Sequence, residues 1–360
     1  MKYLLALVAA IKVLWLGKRI QGDFSIIKVE ATKGSTFVYL PVNEDTACVG
    51  EFSLFWNSRK GHAVVRRTST TEIPDLSRFE VLKNLGEPLR QTKGAWLSGW
   101  LGDKPEDFGF DSKQNFTKMP NGTKAFISDR ASSNWVIHIH GRKATYAEPL
   151  RNIKQFDELG FSQLSISHLS DIPPNGFGIR RSTLGAKEWT QVSEAVEFVK
   201  DKGAQRIILF GWSLGGMMVN QYLSNAEVPN EVTAIIMDSP LLDYRSTLRV
   251  QALRAGYPEA TGDQVADLIT SSRVLRALRF SNVAIDEISA LNKSLLVQLP
   301  TLLFYSLNDG YISMDGVFKY QELNGKVKLI DVPGGRHCRL FNQDREKYQD
   351  SIAAFVKENL

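Results

Sequence analysis

A chain of 360 residues can bury a sizeable core as one large domain with an appendage or as two domains, and its 43% hydrophobic and 23% charged residues are ordinary for a soluble globular protein. The net charge of +5 is small for this length, and its lysines and arginines are interspersed with acids, which excludes a basic-patch nucleic-acid binder. Two distant cysteines, Cys48 and Cys338, and five histidines (His62, His138, His140, His168, His337) offer neither a disulfide framework nor metal-ligand spacing.

Residues 1–20 form an apolar segment, with Lys2 ahead of the run, Lys12 inside it and Lys18 and Arg19 behind. The run is shorter than the roughly 20 apolar residues of a membrane span, and LGKRIQG offers no small-residue cleavage site. It reads as a membrane anchor, an uncleaved export signal or a helix packed on the body. The anchor is the expectation, which makes the protein membrane-associated through this segment and otherwise cytoplasmic.

Residues 21–111 read as a small β-rich region. IIKVEA, TFVYLPV, FSLFW and HAVVRRTST are short runs of Val, Ile, Phe and Thr between turn residues. Arg78 to Leu89 shows no clear period, and no set of catalytic residue types stands out. Trp96 and Trp100 lie in a Gly-rich stretch that reads as a connecting strand rather than an aromatic platform.

Residues 112–360 alternate strands and helices. Asn121-Gly122 predicts a hairpin between Thr117–Met119 and Lys124–Ser128. Strands follow at Trp135–His140, Ser162–Ser167, Arg206–Phe210, Val232–Met237, Thr301–Ser306 and Lys326–Val332. Helices are expected at Glu148–Leu159, Lys187–Lys202, Gly216–Leu223 and Arg345–Asn359. This order predicts a mostly parallel sheet with helices on both faces and antiparallel strands at one edge. A Leu-, Ala- and Arg-rich segment at about 241–297 breaks the alternation and reads as a helical cap, with Val274, Leu275 and Leu278 at helical spacing.

Gly211-Trp212-Ser213-Leu214-Gly215 sits between a strand and a helix, the context of a nucleophile elbow. A serine hydroxyl needs a base to take its proton and an acid to orient that base. In elbow-type sites these follow in the order serine, acid, histidine, each just beyond a strand. Asp309 lies in the loop after Thr301–Ser306, and His337, the only histidine after Ser213, lies in the loop after Lys326–Val332. Asp238, at the end of Val232–Met237, is a rival acid. Oxyanion donors are expected from the backbone N–H of Leu214 and from that of Arg142 or Gly141. The Arg142 side chain would meet either an anionic substrate or an outward salt-bridge partner.

With HG at 140–141, GWSLGG at 211–216, D-x-x-I at 309–312 and His337, the chain from Lys118 onward resembles the α/β-hydrolase superfamily. HGR, LGAKEW at 184–189, FGWSLGG and MDSPLLD further resemble a largely actinobacterial group of α/β-hydrolases of poorly defined substrate, in which a small β region precedes the hydrolase domain. The resemblance implies an α/β-hydrolase fold and a Ser213, Asp309, His337 triad working without a cofactor. The expected function is a serine hydrolase of a small-molecule carboxylic ester, thioester or amide. The alternatives are an acyltransferase or serine peptidase with the same triad, or a non-catalytic binding protein.

Overall fold

The change from short β runs to strand–helix alternation separates two sheets in the computed structural model, which describes residues 2–16, 24–68, 73–168, 181–293 and 298–360. Lys18, Arg19, the last residues of HAVVRRTST and the end of the 241–297 segment lie outside the described residues. Among the described residues, the first sheet holds β1 (Phe24–Ile26), β2 (Lys28–Ala31), β3 (Thr36–Pro41), β4 (Glu51–Trp56), β5 (Gly61–Arg67), β6 (Leu76–Asn84) and β7 (Thr92–Ser98). They are ordered β1-β7-β4-β5-β6-β3-β2 and every pairing is antiparallel.

Period-2 alternation puts Phe52, Leu54 and Trp56 of β4 on one face with Val38, Leu40, Val65, Phe79 and Leu97. Each such fully buried large side chain contributes about 1.5–3 kcal/mol. The other face of β4 is covered too, because Ser53 and Phe55 are buried, with Phe55 stacked on Trp96. β6 occupies part of the stretch without a clear sequence period. Its buried Ser77 and Phe79 alternate with Arg78 and Glu80, and Arg78 lies over the Phe37 ring, so the charged face masked the pattern.

The second sheet holds β8 (Phe116–Lys118), β9 (Lys124–Ser128), β10 (Asn134–Ile139), β11 (Ser162–Ile166), β12 (Arg206–Trp212), β13 (Val232–Asp238), β14 (Thr301–Tyr305) and β15 (Val327–Asp331). Its order is β15-β14-β13-β12-β10-β11-β9-β8, parallel from β15 to β11 and antiparallel at the β9–β8 edge. Strands buried on both faces read as continuous apolar runs, as in Ile207–Phe210.

The helices are α1 (Lys2–Leu14), α2 (Ile153–Glu158), α3 (Thr190–Asp201), α4 (Leu214–Asn225), α5 (Tyr244–Arg254), α6 (Glu259–Ser271), α7 (Arg273–Ala277), α8 (Ala290–Lys293), α9 (Met314–Leu323), α10 (Leu340–Gln343) and α11 (Arg345–Asn359). The helix expected from Glu148 starts as a 3-10 turn over Glu148–Asn152, with Pro149 accommodated in its first turn, and only then becomes α2. Helices α5 to α8 lie between β13 and β14. Of the three apolar residues read as one face of α7 and its end, only Leu275 is buried, while Val274 and Leu278 are exposed. Arg245 of α5 ties this segment together through Asp263, Asp267 and Asp286.

No described helix is long and apolar enough to cross a membrane. Helix α1 has 13 residues and is packed on the body of the protein, the third of its sequence readings. Ala6, Ala10 and Leu14, spaced by four, are fully buried on one face, and α1 packs against α6. Its C-terminal carbonyls are capped: the Arg142 guanidinium donates to Lys12 O (3.2 Å), Val13 O (2.6 Å) and Trp15 O (3.1 Å), and Ser182 N donates to Leu14 O. Among the described residues, the Arg142 guanidinium therefore faces a helix end rather than a salt-bridge partner.

Candidate active site

The turn from β12 to α4 forces Ser213 into φ 49°, ψ −111°, a backbone conformation that L residues rarely adopt. Ser213 N donates to Asp238 O, and Ser213 O accepts from Gly216 N and Leu241 N, so the turn is held on both sides. Glycine is required where strand and helix nearly touch. A Cβ on Gly215 would overlap the Ile139 carbonyl oxygen, and one on Gly211 would lie 2.6 Å from Gly216 N. The constraint aims the Ser213 hydroxyl out of the backbone at the end of the parallel strands.

Three loops converge there. Ser213 Oγ lies 2.9 Å from His337 Nε2, and His337 Nδ1 lies 2.9 Å and 3.1 Å from Asp309 Oδ2 and Oδ1. Asp309 Oδ1 also accepts the N–H groups of Tyr311 and Ile312. Burial would raise the Asp309 carboxyl, but the His337 charge and hydrogen bond and these two N–H groups outweigh it and hold it below the ordinary value. Burial would lower His337, but the Asp309 charge and hydrogen bond prevail, with help from Asp238 and Glu148, and the imidazole is raised above its ordinary 6.5.

Asp238, the rival acid, is fully buried and engaged elsewhere. It accepts from Tyr348 Oη at 2.8 Å and from Ser239 Oγ at 2.9 Å, with an Arg151 nitrogen 3.8 Å away. Burial raises its carboxyl. Ser239 Oγ in turn accepts from Cys338 N, so this cluster fastens the backbone beside His337.

The candidate oxyanion donors separate on geometry. Gly141 N donates to Glu148 Oε2 at 2.9 Å, so Gly141 is removed as a donor because its N–H already has an acceptor. Arg142 lines the site beside Ser213, and Leu214 is the first residue of α4, whose leading N–H groups have no intrahelical acceptor. A Cβ on Gly141 would lie 3.3 Å from Ser213 Cβ, a tight approach that a glycine relieves.

Two cavities meet at Ser213 and His337. One, of about 250 Å³, is the more polar of the two, with mixed walls that include Ser98, Trp100, Lys143, Glu148 and Arg339. The other, of about 400 Å³, is lined by Val13 of α1, Leu184, and Leu241, Tyr244 and Leu248 at and near the start of α5. The N-terminal sheet, α1 and the helical insertion therefore each supply part of the wall. Trp100, read from sequence as part of a connecting strand, faces the polar cavity. Tyr311, which sequence reasoning passed over, stacks on the His337 ring with centroids 4.6 Å apart. Glu148 was also missed, since nothing local marks a glutamate that answers a backbone N–H seven residues away.

A second serine–histidine–carboxylate arrangement occurs in the β-rich region, where sequence showed no constellation. Ser53 Oγ lies 2.8 Å from His62 Nε2, and His62 Nδ1 lies 3.7 Å from Asp107 Oδ2. Ser53 and His62 are buried and line neither cavity. Burial lowers His62 to about 4, so it stays neutral and serves packing beneath Phe55.

Residues 134–275 match the family model of the alpha/beta hydrolase fold. Among solved structures, an esterase of Pyrococcus furiosus is 19% identical with a TM-score of 0.53, covering 72% of this chain and 95% of its own. A second crystal form of that esterase gives 20% and 0.52. A puromycin-hydrolyzing peptidase of Mycobacterium tuberculosis is 13% identical with a TM-score of 0.50, covering 94% of this chain and 49% of its own. No curated protein matches the chain in sequence. The parallel sheet, the strained serine turn and the family match over residues 134–275 agree: the chain has the α/β-hydrolase fold.

Proposed function

We propose that the protein is a serine hydrolase that cleaves a carboxylic ester, or a thioester or amide, through an acyl-enzyme intermediate. The observation that carries this reading is the unbroken relay Asp309–His337–Ser213, with both links at 2.9 Å. The relay requires the imidazole proton on Nδ1, donated to Asp309, which leaves Nε2 to accept from the Ser213 hydroxyl. His337 takes that proton as Ser213 Oγ attacks the acyl carbon. Asp309 stabilises the resulting imidazolium. The N–H groups of Leu214 and Arg142 receive the oxyanion. His337 then protonates the leaving group, and water, deprotonated by the same imidazole, releases the acid and restores Ser213.

The apolar cavity of about 400 Å³ suits an uncharged acyl chain, and the polar one beside Glu148, Lys143 and Arg339 suits the leaving group. A second reading, hydrolysis of an amide or peptide bond, has support in the likeness to the puromycin-hydrolyzing peptidase, which extends over the N-terminal β-rich region as well. Transfer of the acyl group to an alcohol or amine uses the same triad and is distinguished by products formed with competing acceptors. A purely binding role does not require the strained serine and its relay.

The test is labelling with a fluorophosphonate probe. The native chain should label and Ser213→Ala should not. Unlabelled, well-folded native protein would move the account to the binding role.

A further inference from the structure

On the serine-hydrolase reading above, we infer that the Glu44–Asp45 turn of the N-terminal β-rich region is a positioning device for the loops that carry His337 and Asp309. His337 is flanked by Arg336 and Arg339. Arg339 Nη1 pairs with Asp45 Oδ1 at 2.9 Å, and its Nη2 donates to Leu97 O at 3.1 Å. Arg336 Nη1 donates to Asn308 O at 3.0 Å, and its Nη2 lies 3.7 Å from Glu44 Oε2. Arg254 of α5 pairs with the same Glu44 oxygen and donates through Nη1 to Gly310 O at 3.1 Å. One carboxylate thus faces two guanidiniums, each of which holds a carbonyl immediately beside Asp309. Gln251 Nε2 adds a bond to Tyr311 O at 2.6 Å.

A mobile acidic turn would hold nothing in place, and this turn is fixed from within. Asn43 Oδ1 accepts from the N–H groups of Asp45 and Thr46, Asn43 N donates to Thr46 Oγ1, and Thr46 Oγ1 donates to Pro41 O. Thr46 is fully buried. The region is also seated tightly, because Asn342 Nδ2 donates to Glu51 O at 2.7 Å and a Cβ on Gly50 would overlap the Asn342 carbonyl oxygen.

Glu44 and Arg254 are about half exposed, with side-chain accessibilities of 58% and 46%. Exposed pairs of this kind contribute only about 0–1 kcal/mol each to stability. Their effect belongs instead in the register of three loops whose hydrogen bonds must align within a few tenths of an ångström. Neither Glu44 nor Asp45 lines a cavity beside Ser213, so they do not contact substrate.

The experiment uses the full chain, wild type against Glu44→Gln/Asp45→Asn, with 4-nitrophenyl butyrate as substrate and the fluorophosphonate as a probe of Ser213. The double variant should lose about tenfold in kcat and in the rate of Ser213 phosphonylation, as a misaligned relay does. KM should stay within about twofold and the melting temperature within a few degrees, since neither carboxylate lines a cavity and Arg339, which does, keeps its bond to Leu97 O. Glu44→Gln should add nothing in a chain already carrying Arg254→Gln and Arg336→Gln, since the three residues act as one unit. Unchanged kcat, a rise in KM alone, or additive effects would overturn the assignment while wild-type labelling keeps the hydrolase reading. Absence of wild-type labelling overturns both. If the double variant fails to fold, Glu44→Gln alone, at the more exposed carboxylate, carries the same test.

Discussion

His337 is where the electrostatics of the site are most sharply set. Burial favours its neutral form, but Asp309, aided by Asp238 and Glu148, favours the charged one, and the net shift is upward from 6.5. Below that raised value the imidazole is protonated and has no lone pair for the Ser213 proton. kcat/KM should therefore rise with pH through a limb whose midpoint lies above 6.5. Asp309→Asn removes the charge that opposes burial, so the limb should move to lower pH, and kcat should fall about 10³- to 10⁴-fold because the tautomer is no longer fixed. A pH–rate profile of the two chains checks both, and an unmoved limb would assign the titration to another group. Ser213, Asp309 and His337 could be picked out in the sequence because each sits in a loop directly after an apolar strand, in a recognisable order. Glu148, Tyr311, Ser239 and the arginines around His337 could not. Their partners lie from a few to nearly three hundred residues away, as with Arg339 and Asp45, and no local pattern encodes such pairs.

At the scale of elements, the elbow is the most constrained piece of backbone in the site. The Ser213 conformation persists only because β12 and α4 pack closely around it, and Gly215 is the position with no room for a side chain. Gly215→Ala should cost at least about 3 kcal/mol, since the obstructing atom is backbone of β10 rather than a flexible side chain tip. Thermal melting of the variant checks this, and a shift of less than about 2 °C would show that the strand yields more readily than its packing implies. The strand and helix pattern of residues 116–360 was legible because parallel strands buried on both faces are continuous apolar runs. β6 was hidden by its charged face, and no local signal marked the 3-10 opening of the Glu148 segment. Helix α1 was legible as apolar but not as packed, because the alanines that seat it, Ala6 and Ala10, look the same facing lipid or protein.

In the whole molecule, the proposed active site is a composite. The parallel sheet presents the relay, the helical insertion and α1 wall the apolar cavity, and the N-terminal sheet closes the polar one and reaches the arginines beside His337. This arrangement places the β-rich region, expected to cover the catalytic domain or wall the substrate entrance, beside the cavity at Ser213 through Ser98 and Trp100. It also separates two serine–histidine–carboxylate sets by more than the 3.7 Å gap between His62 and Asp107: Ser213 opens onto both cavities, whereas Ser53 is buried and lines neither.

Rapid-quench hydrolysis of a 4-nitrophenyl ester, with peptide mass mapping of the quenched chain, reads the acyl-enzyme at Ser213 directly. A burst approaching one 4-nitrophenolate per chain is expected when deacylation is the slower step, with an acyl mass on the peptide containing Ser213, and neither in Ser213→Ala. Turnover that persists in Ser213→Ala, or an acyl group found on any other residue, would contradict an acyl-enzyme at Ser213.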